Sequence, residues 1–486
     1  MKKIEFIIIT IILVGGLFVR FYKFGNPVAD WHSWRQTDTS AVSRSFVNNG
    51  FDLLHPRFED ISNIGSGKDN PNGYRFVEFP IYNIFQAGFY QIFGFLSLEE
   101  WGRIVTIISS FLSCLFIYLL VKKYASVQSA IFAAAFYAFI PFNIYYSRVI
   151  LPDPSMVTMN LGGIYFFEKW LDRDIVKRPS NWIWFSISLV FTAAALLIKP
   201  YAIFFTLPLA YLFLYKSGFN FYKKWQVYIY VIVAILPLIL WRIWMRQYPE
   251  GIPVSDWLFN GGNIRFKGAF FYWLFAQRLG KLILGYWGLI IFGAGILSLA
   301  RRKLLLKNFF FLSFLVSSLF YMTVIARGNV QHDYYQILIM PTIAMFMGLG
   351  ASFLLKLPEE YFYTGPGAVL LLLSVIFSFS FGWYYVRDYY NFNPALVNAG
   401  QAVDKLIPQS AKVIAIAHGS EGDTTFLYYT NRMGWASLEK SLPEMIKMGA
   451  GYLTFASPTK EDLNFEKDYK MLASTPDYII FDLRKK

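Results

Sequence analysis

Residues 102–121 read GRIVTIISSFLSCLFIYLLV, and Lys122-Lys123 follows directly. The run carries one charged residue, Arg103. At about 1.5 Å of rise per residue, a helix of this length covers the roughly 30 Å hydrocarbon core of a bilayer. The stretch therefore predicts a transmembrane helix whose lysine-bearing end faces the cytoplasm.

The composition of the whole chain is typical of a polytopic membrane protein. Of its 486 residues, 56% are hydrophobic, 20% are aromatic and only 16% are charged, against roughly 25% charged residues in a soluble domain. A water-soluble globule could not bury so much apolar surface in one or two cores. Soluble enzymes, disordered regulators and disulfide scaffolds are therefore excluded, and the one cysteine, Cys114, leaves no intramolecular disulfide to consider.

Eleven apolar runs are long enough, or nearly so, to cross the bilayer. They lie at about 4–21, 102–121, 127–147, 154–170, 181–198, 201–215, 227–247, 283–300, 308–326, 336–356 and 365–385. A further run at about 79–97 opens at Pro80 and carries Asn83, Gln86 and Gln91. These polar residues favour an interfacial helix over a span.

The distribution of lysine and arginine predicts the orientation. Residues 1–3 (MKK) place the N-terminus in the cytoplasm, so residues 22–101 form the first outer loop. If 79–97 does not cross, the basic clusters between spans all fall inside: Lys122, Lys123, Lys169, Arg173, Lys177, Arg178, Lys216, Lys223, Lys224, Arg301, Arg302, Lys303, Lys307 and Lys356. We therefore expect eleven spans in the plasma or inner membrane and an extracytoplasmic C-terminus. The net charge of +14 is then mostly a topology signal, and no nucleic-acid partner is predicted.

The last hundred residues have a soluble composition, with 11 basic and 11 acidic residues in 389–486. Strands are predicted at 412–417, 452–456 and 478–481, and helices at 395–406 and 438–448. After the first strand, HGSEGD at 418–423 could be a ligand loop, but a tight polar turn is the favoured interpretation. The predicted fold is an all-α membrane domain over 1–388, with interfacial helices in the first outer loop, followed by a small α/β domain over 389–486.

Polar residues that are unusual in a membrane protein collect on the predicted outer side. The four histidines there are His32, His55, His332 and His418, and the acidic residues of the first loop are Asp30, Asp38, Asp52, Glu59, Asp60, Asp69 and Glu78. Asp153, Lys199 and Arg327 lie in three short outer turns. Cations hold phosphate, aromatic rings stack on sugars and a carboxylate accepts a hydroxyl proton. Together these residues suit a lipid-tailed phosphate that carries a sugar.

Each of these residues also has an ordinary structural interpretation. Asp38 could cap a helix predicted at 41–48, and Asp153 could be a turn residue between prolines. Lys199 could extend to the membrane interface. Because all of them fall on one predicted side, a functional interpretation is favoured for the set.

Several short motifs carry a family resemblance. They are Arg20 at the end of the first span, Trp34-Arg35-Gln36-Thr37-Asp38-Thr39 with Ser43-Arg44, Glu78-Phe79-Pro80, Arg148 with Asp153, Lys199-Pro200, and His332-Asp333-Tyr334-Tyr335 with Pro341. In this order the chain resembles the GT-C glycosyltransferases that use polyprenyl-phosphate sugars. Within them it is similar to the protein-O-mannosyltransferase and aminoarabinose-transferase-like group.

The resemblance implies a GT-C fold and sugar transfer from a polyprenyl-phosphate donor to a lipid, glycan or protein hydroxyl, on the extracytoplasmic side, with inversion. The first loop of the family usually carries adjacent acidic residues, whereas here Asp38 follows Gln36-Thr37 and Asp30 lies further upstream. Asp38 is the first choice for the catalytic base, and Asp153 and Asp30 stay open as alternatives.

The resemblance also implies roles for other residues. Donor phosphate contacts are expected from Arg148, Lys199, Arg327 and Arg35, and sugar or donor contacts from Tyr334, Tyr335, His332 and Trp34. Glu78 and His332 could hold a divalent metal, and no other cofactor is predicted.

Two other classes of function agree less well with the sequence. A flippase or transporter of lipid-linked sugars usually places ionisable groups near the bilayer midplane, whereas the predicted spans here are nearly free of them. A membrane anchor for the C-terminal domain would not need so many spans. Chemistry at one membrane surface is the favoured prediction.

Overall fold

The computed structural model describes residues 2–172, 181–301, 307–356 and 365–484. Of the predicted cytoplasmic basic residues, Arg173, Lys177, Arg178, Arg302 and Lys303 lie outside these ranges. The chain divides into two compact units, which we call the helical unit and the α/β unit. The helical unit comprises Met1–Phe24, Ile104–Trp241 and Ser255–Asp388, and the α/β unit comprises Gly25–Arg103, Arg242–Val254 and Tyr389–Lys486.

Most of the described chain is helical. In chain order the α-helices are α1 (Lys2–Val19), α2 (Ser33–Asn49), α3 (Ile81–Phe93), α4 (Leu98–Tyr124), α5 (Val127–Phe139), α6 (Pro141–Tyr146), α7 (Asp153–Leu171), α8 (Asn181–Ile198), α9 (Leu207–Ser217), α10 (Trp225–Met245), α11 (Trp257–Asn260), α12 (Gly268–Phe271), α13 (Gly288–Arg301), α14 (Asn308–Val324), α15 (Ala326–Gln331), α16 (Met340–Lys356), α17 (Gly365–Val386), α18 (Pro394–Leu406), α19 (Thr424–Thr430) and α20 (Leu442–Lys447). Shorter 3-10 helices cover Pro200–Thr206, Gly218–Lys223, Pro249–Gly251, Gly261–Phe266, Asp333–Ile339, Arg387–Tyr390 and Asp462–Lys467, and a π-helix covers Tyr272–Ile283.

Helices occupy all eleven segments that the sequence predicts as spans. Four described stretches are long and apolar enough to cross a membrane: Leu98–Tyr124, Trp225–Met245, Asp333–Lys356 and Gly365–Leu406. A fifth is added if the bent pair Gly268–Ile283 and Gly288–Ala300 counts as one span, and three other apolar helices are shorter. The protein is a multi-pass membrane protein, and the count of eleven stays a prediction.

Helix α16 lies at the centre of the helical unit and packs between α5 and α13 through glycines. A Cβ on Gly350 or Gly295 would collide with the backbone of the facing helix, and one on Gly348 would meet Ser129 O at 2.5 Å. Inside a membrane, helices associate by close packing of small residues because lipid supplies no hydrophobic drive. These glycines therefore allow α16 to pack closely against α5 and α13.

Helix α3 corresponds to the run at 79–97 that was predicted not to cross. Its 13 residues span about 20 Å, less than the hydrocarbon core. Its polar side chains pack against α2: Asn83 donates to Thr39 O at 2.6 Å, and Gln86 donates to Ser40 Oγ at 3.0 Å. Here the polar residues hold two helices of the first loop together.

The C-terminal segment forms a five-stranded sheet in the order β2-β1-β3-β5-β4. The strands are β1 (Lys412–Ala417), β2 (Gly434–Trp435), β3 (Ala450–Ala456), β4 (Lys470–Ser474) and β5 (Tyr478–Asp482). Strand β1 pairs in parallel with β2 and β3, while β5 pairs antiparallel with β3 and β4. The three predicted strands are confirmed as β1, β3 and β5.

Strand β1, which pairs in parallel on both sides, is buried on both faces of the sheet, as expected for parallel pairing. Val413 and Ala415 of β1 belong to one hydrophobic cluster, and Ile414 and Ile416 belong to the other. Ile61 from the first loop packs into the second cluster. The first loop therefore shares a core with the C-terminal sheet, inside the α/β unit.

Candidate functional site

Lys199 and Asp153 form a buried ion pair in the helical unit, with Nζ 2.6 Å from Oδ1 and side-chain exposures of 8% and 1%. Asp153 begins α7 after Pro152, where the helix dipole favours a negative charge. Lys199 directly precedes the 3-10 helix Pro200–Thr206. The structure thus brings together two predicted site residues from separate turns.

The rings of Tyr334 and Tyr335 lie over the same cation. Their centroids are each 5.6 Å from Lys199 Nζ, within the range of a cation–π contact. The other oxygen of Asp153, Oδ2, is buried and has no hydrogen-bond partner among the described residues. A buried acceptor without a donor is costly in a protein interior, so this oxygen marks where a ligand hydroxyl could donate.

Further aromatic side chains extend this group. The His332 ring centroid lies 5.4 Å from that of Tyr334 and 5.9 Å from that of Trp257. Tyr201 lies 5.9 Å from Tyr335. The predicted sugar-contact residues His332, Tyr334 and Tyr335 are therefore neighbours, and flat aromatic surfaces of this kind suit a pyranose ring.

Arg278 is a member of this region that sequence analysis did not find. Its Nη2 donates to Val330 O at 3.0 Å, and its Nη1 lies 3.9 Å from Asp333 Oδ2. Tyr146 donates to the other oxygen of Asp333 at 2.6 Å. Arg278 lies in the π-helix Tyr272–Ile283, and π-helical turns are frequent at functional sites.

The other cations predicted for this unit have separate surroundings. Arg148 is fully buried, and its Nη1 donates to Lys23 O at 2.6 Å. Arg327 lies in α15 beside Gly261, where an added Cβ would lie 3.4 Å from Arg327 Cγ. Phosphate contacts by Arg148 and Arg327 stay predictions.

An apolar cavity of about 380 Å³ lies in the helical unit between α7, α8, α9 and α10. Its walls include Trp170, Phe213, Ala234, Ile203 and Thr206. The last two belong to the 3-10 helix that follows Lys199. A cavity of this size with apolar walls suits part of a lipid chain.

Asp38 lies within α2, in the α/β unit, and is 3% exposed. The prediction that it caps a helix at 41–48 is wrong, because α2 already begins at Ser33. The chain from 33 to 49 has no proline or glycine to delay the helix start. Asp38 therefore has no free helix N–H groups beside it. Its Oδ2 pairs instead with Arg75, and its Oδ1 accepts a hydrogen bond from Thr424 Oγ1 at 2.7 Å.

The remaining predicted residues of the first loop are also paired. Gln36 donates to Asp30 Oδ1 at 2.7 Å, and Arg35 forms an ion pair with Glu78. Trp34 is half-buried. Arg35 was predicted to contact the donor phosphate and Glu78 to bind a metal. The structure instead pairs these two residues with each other.

The metal role of Glu78 and His332 stays a prediction. The described parts of the chain contain no group of three or more His, Cys, Asp or Glu that could hold an ion. Glu78 is paired with the guanidinium of Arg35, and a positive group so close opposes a cation. We derive no step through a metal.

Asp60 is a buried carboxyl close to Asp38 that the sequence did not single out. It is 7% exposed and accepts hydrogen bonds from the backbone and the hydroxyl of Ser62 at 2.9 Å each. Burial raises the pKa of Asp60 to about 6, and the negative charge of Asp38 adds to this effect. Asp60 is therefore protonated in mildly acidic solution.

Asp60→Asn is expected to flatten the pH dependence of stability. The folded state binds the Asp60 proton more tightly than the unfolded state does, so stability falls as pH rises from about 4 to about 6. The pKa of about 6, against 3.8 unperturbed, corresponds to about 3 kcal/mol at most. The apparent melting temperature of the detergent-solubilised protein should fall less over this range in Asp60→Asn than in wild type. Parallel profiles would contradict the assignment.

One family model and several solved structures match this chain. The family model for dolichyl-phosphate-mannose-protein mannosyltransferase matches residues 74–244. ArnT from Cupriavidus metallidurans, solved with bound undecaprenyl phosphate, matches with a TM-score of 0.66 at 11% identity, covering 97% of each chain. The oligosaccharyltransferase AglB from Archaeoglobus fulgidus, in complex with an inhibitory peptide and a dolichol-phosphate, matches with a TM-score of 0.61 at 12% identity, covering 97% of this chain and 74% of that one. No curated protein matches.

The fold is shared with ArnT and is that of a helical membrane protein with a small C-terminal sheet of five strands, which confirms the predicted fold class. The family model over residues 74–244 and the structural matches agree with the resemblance noted in the sequence, and the matched structures share the fold of this chain.

Proposed function

We propose that the protein transfers a sugar from a polyprenyl-phosphate donor to an acceptor hydroxyl on the extracytoplasmic side of the membrane, by one inverting displacement. The observation that carries this proposal is the Lys199–Asp153 pair beneath Tyr334 and Tyr335. It combines a cation for phosphate with aromatic surface for a sugar. The apolar cavity lined in part by the 3-10 helix that follows Lys199 supplies room for a lipid chain.

In the displacement, the acceptor oxygen forms a bond to the anomeric carbon while the bond from that carbon to the phosphate oxygen breaks. The polyprenyl phosphate leaves with its charge stabilised by Lys199. The acceptor proton passes to a carboxylate within about 2.6–3.2 Å. Asp38 is the proposed base because the family resemblance in the sequence favours it, with Asp153 and Asp30 as the alternatives.

The relatives support a lipid-phosphate donor. ArnT was solved with undecaprenyl phosphate and AglB with a dolichol-phosphate. Both ligands are polyprenyl phosphates, the group that the proposed reaction releases. The sugar and the acceptor, whether lipid, glycan or protein, are left to experiment.

The direct test incubates the purified protein with a panel of polyprenyl-phosphate sugars and extracted membrane acceptors, with mass spectrometry of the products. We expect one donor to be consumed, with release of polyprenyl phosphate and a mass gain of one sugar on an acceptor. If every donor in the panel is left intact, the proposal is overturned.

Ala234→Phe is expected to raise the KM for long-chain donors about tenfold. Ala234 is 3% exposed and lines the apolar cavity, so a phenyl group there would displace part of the lipid chain. Losing burial of about 55 Å² of apolar surface costs about 1.4 kcal/mol, or tenfold in affinity. Steady-state kinetics with long and very short polyprenyl donors measure this, and short donors should be unaffected.

Leu236→Phe is the matched control for this cavity. Leu236 lies on the same helix, α10, but is 44% exposed. We expect its KM to equal that of the wild type. Equal effects of both variants, or an Ala234→Phe effect that does not depend on chain length, would contradict a lipid chain in the cavity.

A further inference from the structure

We propose that Thr424, in the C-terminal domain, is a positioning residue for Asp38, so that this domain takes part in catalysis. The inference rests on the proposed function, in which Asp38 is the base. Thr424 Oγ1 donates to Asp38 Oδ1 at 2.7 Å, across 386 positions of sequence. Both residues belong to the α/β unit.

The single proton of the Thr424 hydroxyl has one good acceptor. Trp34 O and Thr37 Oγ1 are each 3.4 Å from Thr424 Oγ1, much farther than Asp38 Oδ1. A hydrogen bond to an ionised carboxylate is also stronger than one to a neutral oxygen. The hydroxyl proton therefore points at Asp38.

Two contacts from different chain segments hold the Asp38 carboxylate. Arg75 from the first loop holds Oδ2, and Thr424 holds Oδ1. An ionised carboxylate has about four lone-pair sites, so two contacts fix its rotation and leave sites for an acceptor hydroxyl. A base that is held in this way keeps a fixed orientation.

The turn before Thr424 is built to hold that residue still. Gly422 has φ +80°, a conformation that favours glycine, and its N–H donates to Ala436 O at 3.2 Å. Asp423 donates through its N–H to Ser420 O at 2.9 Å, and its Oδ1 caps Thr425 N at 2.7 Å. The polar turn at 418–423 that stands out in the sequence thus places Thr424 at the first position of α19.

The positioning role of Thr424 also gives a function to the polar turn at 418–423. Burial raises the pKa of Asp423, with the charge of Asp38 adding to the effect, which places Asp423 in the electrostatic surroundings of Asp38. Even so, its side chain caps α19, and the hydroxyl of the next residue makes the contact with Asp38. The turn therefore acts through Thr424.

The test compares Thr424→Val, which keeps the shape but loses the hydroxyl, with Thr424→Ser, which keeps the hydroxyl. We expect Thr424→Val to lower kcat for sugar transfer about a hundredfold, the loss that a small misplacement of a reacting group causes. The KM for the donor should change less than about twofold, since the donor cation is Lys199. The solvent deuterium isotope effect on kcat should increase, because proton transfer becomes slower. Thr424→Ser should stay within about threefold of wild type.

Thr425→Val is the matched control. Thr425 is the next residue and is buried, and its Oγ1 has no hydrogen-bond partner in the described chain. Its kcat should equal that of the wild type. If Thr424→Val does not fold, Thr424→Ala removes the hydroxyl without adding an apolar group and takes its place.

The outcomes separate the two proposals. A wild-type kcat in a folded Thr424→Val or Thr424→Ala protein overturns the positioning role while sugar transfer stands. A lower kcat with an unchanged isotope effect indicates a structural role only and also overturns it. If the wild-type protein transfers no sugar from any polyprenyl-phosphate donor, the proposed function fails, and the positioning role fails with it.

Discussion

Asp38→Asn is expected to lower kcat for sugar transfer by about a thousandfold, within the range for loss of a general base. The amide keeps the size of the carboxyl group, and its oxygen can still accept the Thr424 hydroxyl, which lies 2.7 Å from Oδ1 in the wild type. What it loses is the capacity to take the acceptor proton, together with the negative charge that pairs with Arg75. The KM for the donor should change little, and the measurement is steady-state transfer with purified protein in lipid.

Asp60→Asn is the matched control for this prediction. Asp60 is a second buried carboxyl in the surroundings of Asp38, and it bonds to Ser62. Its amide variant should retain full turnover at neutral pH, so a loss that is specific to Asp38→Asn identifies the base. Retained turnover in a folded Asp38→Asn protein would exclude Asp38 and return the choice to Asp153 or Asp30.

Lys199→Met is expected to reduce kcat by about a hundredfold or more, the effect of removing one charge-stabilising donor. It should also lower stability by about 3–5 kcal/mol, because it leaves the carboxylate of Asp153 buried without its partner. A loss of activity in this variant alone would therefore have two explanations.

The double variant Lys199→Met/Asp153→Asn separates them. Removing both charges should recover most of the melting temperature, because no unpaired charge stays buried. Activity should not return, because the leaving phosphate still lacks its cation. Recovery of activity together with stability would show that Lys199 serves only to neutralise Asp153.

The group around Lys199 could be predicted from the sequence because it depends on topology alone. Asp153, Lys199 and Tyr335 lie in short turns between consecutive apolar runs, and alternate turns of a polytopic protein share one side of the membrane. The structure then places Lys199 against Asp153 and Tyr335.

Other site residues could not be predicted because their signals are not local. Arg278 lies in a π-helix, whose i→i+5 bonds leave no period in the sequence. Thr424 contacts Asp38 across 386 positions. The local sequence around either residue gives no indication of this contact. The helix start at Ser33 was missed because Asp38 and the residues around it resemble a helix cap, whereas in the structure α2 begins at Ser33 and its first turns are mostly buried.

The C-terminal sheet also contains strands that the sequence predicts and strands that it does not. Strands β1, β3 and β5 are apolar runs buried on both faces and could be read directly. Strand β2 has two residues, and β4 alternates between exposed and half-buried positions. Such short or weakly buried segments are defined by their pairing partners, not by their own composition.

The most direct measurement of the central claim uses proteoliposomes that contain the purified protein, an acceptor and a polyprenyl-phosphate donor with a radiolabelled sugar. Sugar transfer predicts that the label becomes covalently attached to the acceptor while free polyprenyl phosphate accumulates, and that Asp38→Asn proteoliposomes show neither product. Appearance of intact labelled donor in the opposite leaflet, with no labelled acceptor, would contradict the account and identify a flippase.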